Sequence, residues 1–267
     1  STVALTAPSR IVTTPAVDYG AFVRVSNGES LKAVRTGAVN TQGTLSIGAA
    51  TLRGKTIILD ATRTTTVAAN ADLRATVLDV SSGRISIGSP TGTPDGLVLS
   101  GSSLEALAAA SSLTLRSYSS IDFYGNATIG TRGADGSFGL GKLEFDAASL
   151  NGATGAHVTI AAGEVLFTNG SGATAPGLGG SGGTLVVNAE TIMLGTGAKS
   201  VDGFGRVALE ADKAILGRGA GTIDFGSANL AFAAPLLSAE SGAAQDWTTT
   251  GAFQLTGTSS AAAVDTL

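Results

Sequence analysis

Apolar residues along this chain recur in a fixed figure: two of them two positions apart, a small residue two further on, then a second apolar pair. Val158-Thr-Ile160 with Val165-Leu-Phe167, Leu185-Val-Val187 with Ile192-Met-Leu194, Val207-Ala-Leu209 with Ile215-Leu216, and Ile223-Asp-Phe225 with Leu230-Ala-Phe232 are clear copies. Apolar positions at i, i+2, i+7 and i+9 spell strand, corner, strand, because alternate side chains of a strand share a face. An evenly recurring unit of this kind is how a parallel β-solenoid is written.

The first apolar positions fall at 45, 57, 76, 97, 113, 143, 158, 185, 207 and 223, a mean spacing of about 20 residues. Position i+4 is small in nine of these ten units (Ala49, Ala61, Gly101, Ser117, Ala147, Ala162, Ala189, Ala211 and Ser227), with Val80 the exception. An inward corner between strands leaves little room, so this column carries more weight than apolar pairs, which any β-protein has. The interval from 45 to 57 is too short for a whole turn, and these two units read as faces of neighbouring or shared rungs. The spacing predicts an all-β fold, a parallel β-helix of roughly 10–12 rungs, and a rod of about 50–60 Å.

Residues 45–235 read as the shaft. Residues 1–44 fit the register poorly, with Pro8 and Pro15 as breaks and Asp18 to Val25 as a strand. Residues 236–267 read as last rungs or the start of a continuing shaft, with Phe253-Gln-Leu255 as a further rung. Neither end carries a clear polar cap, which points to a segment of something longer. Leu104-Glu-Ala-Leu-Ala-Ala-Ala110 has the composition of a helix but is short, and a strand with an Ala-rich corner is preferred to it. Three long stretches, 125–141, 168–183 and 195–206, follow the second strand of their units and are expected as loops along one side of the rod. They read as tolerated insertions or, more sharply, as a binding ridge on a rigid scaffold.

Composition narrows the class. Of 267 residues 38 are glycine, 13% are charged and 5% aromatic, with a net charge of -4. Mean hydropathy is +0.31, so the chain has too much apolar content and too little charge for disorder. Its 16 Lys and Arg are spread thinly, against the clustered cations a nucleic-acid surface needs. No cysteine is present, which suits export as an unfolded chain through a narrow pore as well as the cytosol. No apolar run is long enough for a transmembrane helix, and Ser1-Thr-Val-Ala-Leu-Thr is not a secretion signal.

Groups able to catalyse are sparse. His157 is the only histidine; it sits at a strand entry, with no G-x-S-x-G elbow and no cysteine elsewhere, and reads as a strand-end residue. Counts alone exclude a His/Cys metal site. Gly133-Ala-Asp135-Gly-Ser lacks the tandem repeat of calcium-binding solenoids, and Gly179-Gly-Ser-Gly-Gly183 lacks the Lys-Ser/Thr of a phosphate loop. No catalytic, cofactor-binding or metal residue is therefore assigned. One column stands out: Asp60, Asp79, Asp146, Asn188 and Glu210 directly precede position i+4 of their units. In consecutive rungs Asp60 and Asp79 would stack about 5 Å apart, where two carboxylates resist double ionisation unless solvated, bridged by a cation or pointed apart. Ser100, Arg116, Ala161 and Gly226 interrupt the column, and its bland reading is an outward polar corner that accepts hydrogen bonds from turn amides. The enzyme alternative is a polysaccharide lyase or hydrolase on a β-helix. It would need convergent carboxylates, or Asp-bound calcium beside an Arg or Lys, and the chain has no dense cluster of these.

Leu113-Thr-Leu-Arg-Ser-Tyr-Ser-Ser-Ile-Asp-Phe-Tyr124, Gly141-Lys-Leu-Glu-Phe-Asp-Ala-Ala-Ser-Leu-Asn-Gly152 and Gly183-Thr-Leu-Val-Val-Asn-Ala-Glu-Thr-Ile-Met-Leu-Gly195 carry a resemblance. Over residues 45–232 the chain is similar in pattern to the shafts of filamentous-haemagglutinin-type exoproteins of Gram-negative two-partner secretion. That resemblance implies a right-handed, single-stranded parallel β-helix, exported through an outer-membrane transporter and held extracellularly or on the outer cell surface. It implies a non-enzymatic part in adhesion, biofilm formation or toxin delivery, with a host or neighbouring cell surface, a glycan or self-association as partner. Neither nucleic-acid binding nor membrane insertion is expected. The Asn-Pro-Asn-type motifs of the family's secretion domain are absent, so the segment resembles shaft, and no family site residue is carried over. A self-assembling filament subunit is the remaining alternative.

Overall fold

The computed structural model describes residues 20–28 and 41–258. Pro8, Pro15 and the sequence after Thr258 lie outside these, as do Asp18 and Tyr19 of the first expected strand. Among the described residues the chain forms strands and one short helix. The fold is all-β, with long parallel sheets, and is solenoid-like.

Three parallel ladders carry it. The first stacks β4 (Thr56–Ala61), β7 (Val77–Ser82), β10 (Ser112–Ser117) and β13 (Lys142–Asp146). It continues through the later halves of three long strands, β15 (His157–Thr168), β16 (Gly183–Leu194) and β18 (Phe204–Gly217), and ends at β21 (Leu236–Ala239). The second runs β9 (Leu97–Leu99), β8 (Ile85–Gly88), β11 (Ser120–Tyr124), β14 (Ser149–Gly152), β17 (Gly197–Asp202), β19 (Ala220–Asp224) and β22 (Ala244–Thr248). The third stacks β12 (Asn126–Ile129) on the early halves of β15, β16 and β18, then β20 (Asn229–Ala234) and β23 (Phe253–Gly257). Two short parallel pairs lie earlier in the chain, β2 (Thr44–Ile47) with β5 (Thr64–Val67), and β3 (Thr51–Arg53) with β6 (Asp72–Arg74). β1 (Ala21–Ser26) lies antiparallel on β4 and covers the first edge of the first ladder.

One column shows the periodicity directly. Ile57, Leu78, Leu113, Leu143, Val165, Ile192, Ile215 and Leu237 are register partners in succession, at steps of 21, 35, 30, 22, 27, 23 and 22 residues. The expected 20-residue spacing and 10–12 rungs are thus revised. The ten unit starts mixed ladders: 57, 113 and 143 belong to the first, 97 and 223 to the second, and 158, 185 and 207 to the third. Seven steps at about 4.8 Å give roughly 34 Å of stacked first-ladder strands, shorter than the expected rod.

The small corner residue survives this revision and improves. Ile57 pairs with Leu78, so the unit assigned to 76 begins at 78, and its i+4 residue is Ser82 rather than the exceptional Val80. Ser82 is in register with Ser117, and Ala162, Ala189 and Ala211 form a second column at the bend within the long strands. All five are buried, because the chain turns there against its neighbouring rungs. Corners with positive φ use glycine: at Gly203, φ is 81° and a Cβ would run into the Gly152 carbonyl oxygen.

Leu104 to Ala110 corrects a second expectation. Ser102–Ala108 is a helix, α1, between β9 and β10. Leu104 and Leu107, three apart, share one helix face and bury it in the core, where propensity and packing agree. Inside the ladders a single apolar cluster runs from Ile57 to Ala234, with Phe145 stacked on Phe167 at 5.7 Å and Phe123 edge-on to Phe145 at 6.4 Å.

The three long stretches do not share one side, nor are all of them loops. Within 125–141, β12 is a third-ladder strand, and residues 131–139 form a hairpin between it and first-ladder β13. Within 195–206 lies β17 of the second ladder. Only 169–182 lacks strand structure, and it stands where a second-ladder strand would be: β14 pairs directly with β17 although β15 and β16 intervene in the chain.

Candidate functional site

The polar groups of this fold gather in three places: the outer side of the first ladder, the gap in the second, and a groove beside the 131–139 hairpin. On the first, residues alternate, so that Leu113 and Leu115 enter the core while Thr114 and Arg116 face outward. These outward residues are nonetheless buried: Asp60, Asp79, Arg116, Glu144 and Asp146 are each 7% exposed or less. Arg116 donates from Nε to Asp146 at 2.8 Å and has Asp79 at 3.7 Å on its other side. Tyr118 donates its hydroxyl to Asp60 at 3.0 Å.

The acidic column is therefore rearranged. Asp60 pairs with Ser81 and Asp79 with Ile58, so the two carboxylates are offset by two residues and do not stack. Asn188 and Glu210 stack on each other in the third ladder, away from Asp146. Burial pushes the Asp79 carboxyl up to about 6, with Asp60, Glu144 and Asp146 adding to the rise and Arg116 opposing it. Arg116, between two carboxylates, is held more firmly protonated than an ordinary guanidinium. The arrangement of Arg116 between Asp79 and Asp146 neutralises charge inside the protein. A cue lay in the sequence: Arg116 occupies the outward position of a strand whose neighbours carry aspartates, yet the register had to be right before the three could be joined.

The gap in the second ladder has its own chemistry. Where residues 169–182 leave the stack, Lys199 of β17 points inward, in register with core residue Ile223. Its ammonium donates to the carbonyls of Gly195 at 2.6 Å, Gly197 at 2.8 Å and Thr196 at 3.2 Å, and burial pulls its pKa down to about 8. A cavity of about 20 Å³ remains beside it, among Phe167, Leu150 and Val201, about the space of one water molecule. The lysine is thus kept inside the ladder by the carbonyls of its own turn. Asn169 anchors the departing segment by donating to the carbonyls of Ala173 at 2.9 Å and Ala198 at 2.7 Å, and the Gly170 amide donates to Asp146 at 2.6 Å. Farther along, Asn151 donates to Asp122 at 2.8 Å and to the Pro176 carbonyl at 3.4 Å, while Arg84 pairs with Asp122.

The other singled-out residues stay apart. His157 is exposed at the start of β15 with Nδ1 2.9 Å from Thr184 Oγ1, its register partner. Gly179 to Gly182 belongs to the segment that bypasses the second ladder, Gly183 opens β16, and neither is a helix N-terminus. Asp135 accepts from the Ser137 amide at 3.0 Å and hydroxyl at 2.7 Å, which lowers its pKa and shapes the hairpin turn. Among the described residues no group of three or more His, Asp or Glu side chains could hold a metal ion, and no helix is long and apolar enough to cross a membrane.

Beside the hairpin, a groove of about 370 Å³ opens over the corner of β15 and β16, lined by Phe138, Gly163, Glu164, Glu190, Thr191 and Met193. This size falls within the range of small-molecule sites. Sequence reasoning missed it because its walls come from the hairpin and two successive rungs. Compared with known proteins, the chain matches no family model, no curated protein and no solved structure.

Proposed function

We propose that the three ladders close into a right-handed, single-stranded parallel β-helix, and that it serves as a structural shaft segment of a large secreted or cell-surface exoprotein. Its mechanism is extension and presentation: stacked rungs hold other modules, or lateral elements such as the 131–139 hairpin, away from the cell surface during adhesion or biofilm formation. The observation that carries this reading is the unbroken parallel column from Ile57 to Leu237. Its support is that Arg84, Arg116 and Lys199 are engaged in internal pairing and carbonyl capping. The pattern resemblance to two-partner exoproteins adds an outer-membrane transporter as partner in export and a Gram-negative cell surface as location.

A replacement experiment tests the role. Deleting the segment from its parent protein is expected to abolish surface attachment, and a foreign β-helix of matched length is expected to restore it. Failure of every length-matched replacement, with export intact, would argue against a shaft. Release of products from acidic polysaccharides by the purified segment would favour the enzyme alternative instead. The filament alternative has one observation of its own: Leu236, Leu237, Phe253 and Leu255, on the last strands, are exposed apolar residues. Mass that rises with concentration in sedimentation, and falls on Leu237→Lys, would support that reading.

A further inference from the structure

We infer that the groove beside the 131–139 hairpin is a binding site for a neutral pyranose unit of a glycan. Three features of its construction lead there.

The first is preorganisation. The hairpin is tied by hydrogen bonds from the Gly133 amide to the Ser137 carbonyl at 2.7 Å and from the Gly139 amide to the Thr131 carbonyl at 3.0 Å. Arg132 then reaches to Asp212, three rungs beyond the hairpin's own corner, at 2.7 Å, and its guanidinium lies 5.1 Å from the Phe138 ring centroid. Phe138 is thereby held at the groove wall without ligand, so little ordering entropy is lost on binding.

Charge balance is the second. Glu164 is paired with Lys142 at 2.5 Å, Glu190 with Lys213 at 2.5 Å, and Asp212 with Arg132 at 2.7 Å. Within these three pairs cations and carboxylates are equal in number, so the pairs offer no net countercharge to a strongly acidic or strongly basic ligand. The side chains of these pairs nevertheless stay 30–68% exposed, which leaves hydrogen-bonding capacity for hydroxyls that both donate and accept.

The third is the pairing of surfaces. Phe138 and Met193 offer an apolar ring and a polarizable thioether, while Thr191, Glu164 and Glu190 offer hydrogen-bonding groups. A pyranose has the complementary division: an apolar face of C–H groups and a rim of hydroxyls. The chemistry of the groove stands independently of the shaft reading; only its use as a contact point on a cell surface rests on that reading.

Met193 is the only methionine in the chain, so a protein labelled with methyl-¹³C methionine gives one resonance, located in the groove. Titration with methyl glycosides of glucose, galactose, mannose and N-acetylglucosamine is expected to move that resonance saturably for at least one sugar, at about 1–20 mM. N-acetylneuraminic acid and arginine methyl ester, as charged probes, are expected to leave it in place. Phe138→Ala should weaken the bound sugar at least fivefold, roughly 1 kcal/mol, while Phe138→Tyr should retain it, with circular dichroism unchanged in both. Silence of the resonance with every neutral glycoside, a stronger response to either charged probe, or unaltered affinity in Phe138→Ala would overturn the assignment. None of these outcomes bears on the replacement experiment, so failure of the site and failure of the shaft reading remain distinguishable.

Discussion

Residues 131–139 and 169–182 are both glycine-rich, both interrupt a run of strands, and look interchangeable as text. Their structures differ in kind. The first is a side branch: its ends are joined by the Gly139-to-Thr131 hydrogen bond, and the ladders on either side are complete without it. The second is part of the main path, because β15 and β16 pair in parallel and a parallel pair needs a crossover that returns the chain to the same end. Glycine content marks that a departure from strand geometry occurs. It does not say whether the departure is optional.

As a crossover, the 168–183 stretch is expected to be needed for the fold, unlike the tolerated insertion it reads as in the sequence. Deleting residues 171–181 should abolish the cooperative β-signal in circular dichroism, whereas a Gly/Ser segment of the same length should keep it. Equal stability of the deletion and the wild type would show that the crossover is dispensable.

The start of that crossover is tied to the ion network through the Gly170 amide and Asp146. Asp146→Ala removes that acceptor and takes from Arg116 the nearer of the two carboxylates that flank it. A cost of about 3–5 kcal/mol is expected in denaturant unfolding, the range for breaking one side of a buried pair. A cost below 1 kcal/mol would mean that the network is solvated and not structural.

Asp79 acts in the opposite direction. Its carboxyl titrates near 6 in the folded protein against an ordinary 3.8, so the folded state holds the proton more tightly. Stability from this group falls as pH rises from about 4 to 6 and stays low above that window. Asp79→Asn should remove the fall and make the protein more stable than wild type at pH 7, by about 1–2 kcal/mol once loss of the Arg116 contact is set against it. Thermal melts at pH 4.5 and pH 7 check the sign, and a variant less stable at both would contradict it.

The smallest effect belongs to the side branch. Replacing residues 133–137 by a two-residue turn, or Asp212 by Asn, should each change stability by less than about 1 kcal/mol, since the Arg132–Asp212 pair is largely exposed. A loss of several kcal/mol in chemical denaturation would move the hairpin from branch to trunk.

Much of the architecture was legible in the sequence because it rests on geometry that leaves a residue-level trace. Alternating Val, Leu, Ile and Phe report strand faces, and the corners at Ala162, Ala189 and Ala211 admit only small residues. Less visible was which strand belongs to which ladder, since Ile57, Val158 and Ile223 carry the same pattern on three different ladders. A two-residue error at Leu78 was enough to stack Asp60 on Asp79, hide the partnership of Arg116 with Asp79 and Asp146, and create a false exception at Val80. Lys199 was hidden for a related reason: it occupies an inward strand position, and the Gly195, Thr196 and Gly197 carbonyls that accept from it converge only in the folded turn. The groove could not be read at all, because Phe138, Glu164 and Glu190 meet only through stacking.

The central claim is that successive returns of the chain stack in one continuous parallel column. With no native cysteine, spin labels can be placed at Lys55→Cys and Ser238→Cys, exposed positions at the two ends of the first ladder. Seven ladder steps predict one narrow distance distribution centred at about 35 Å. A broad distribution, or one centred well above 50 Å, would contradict the continuous column.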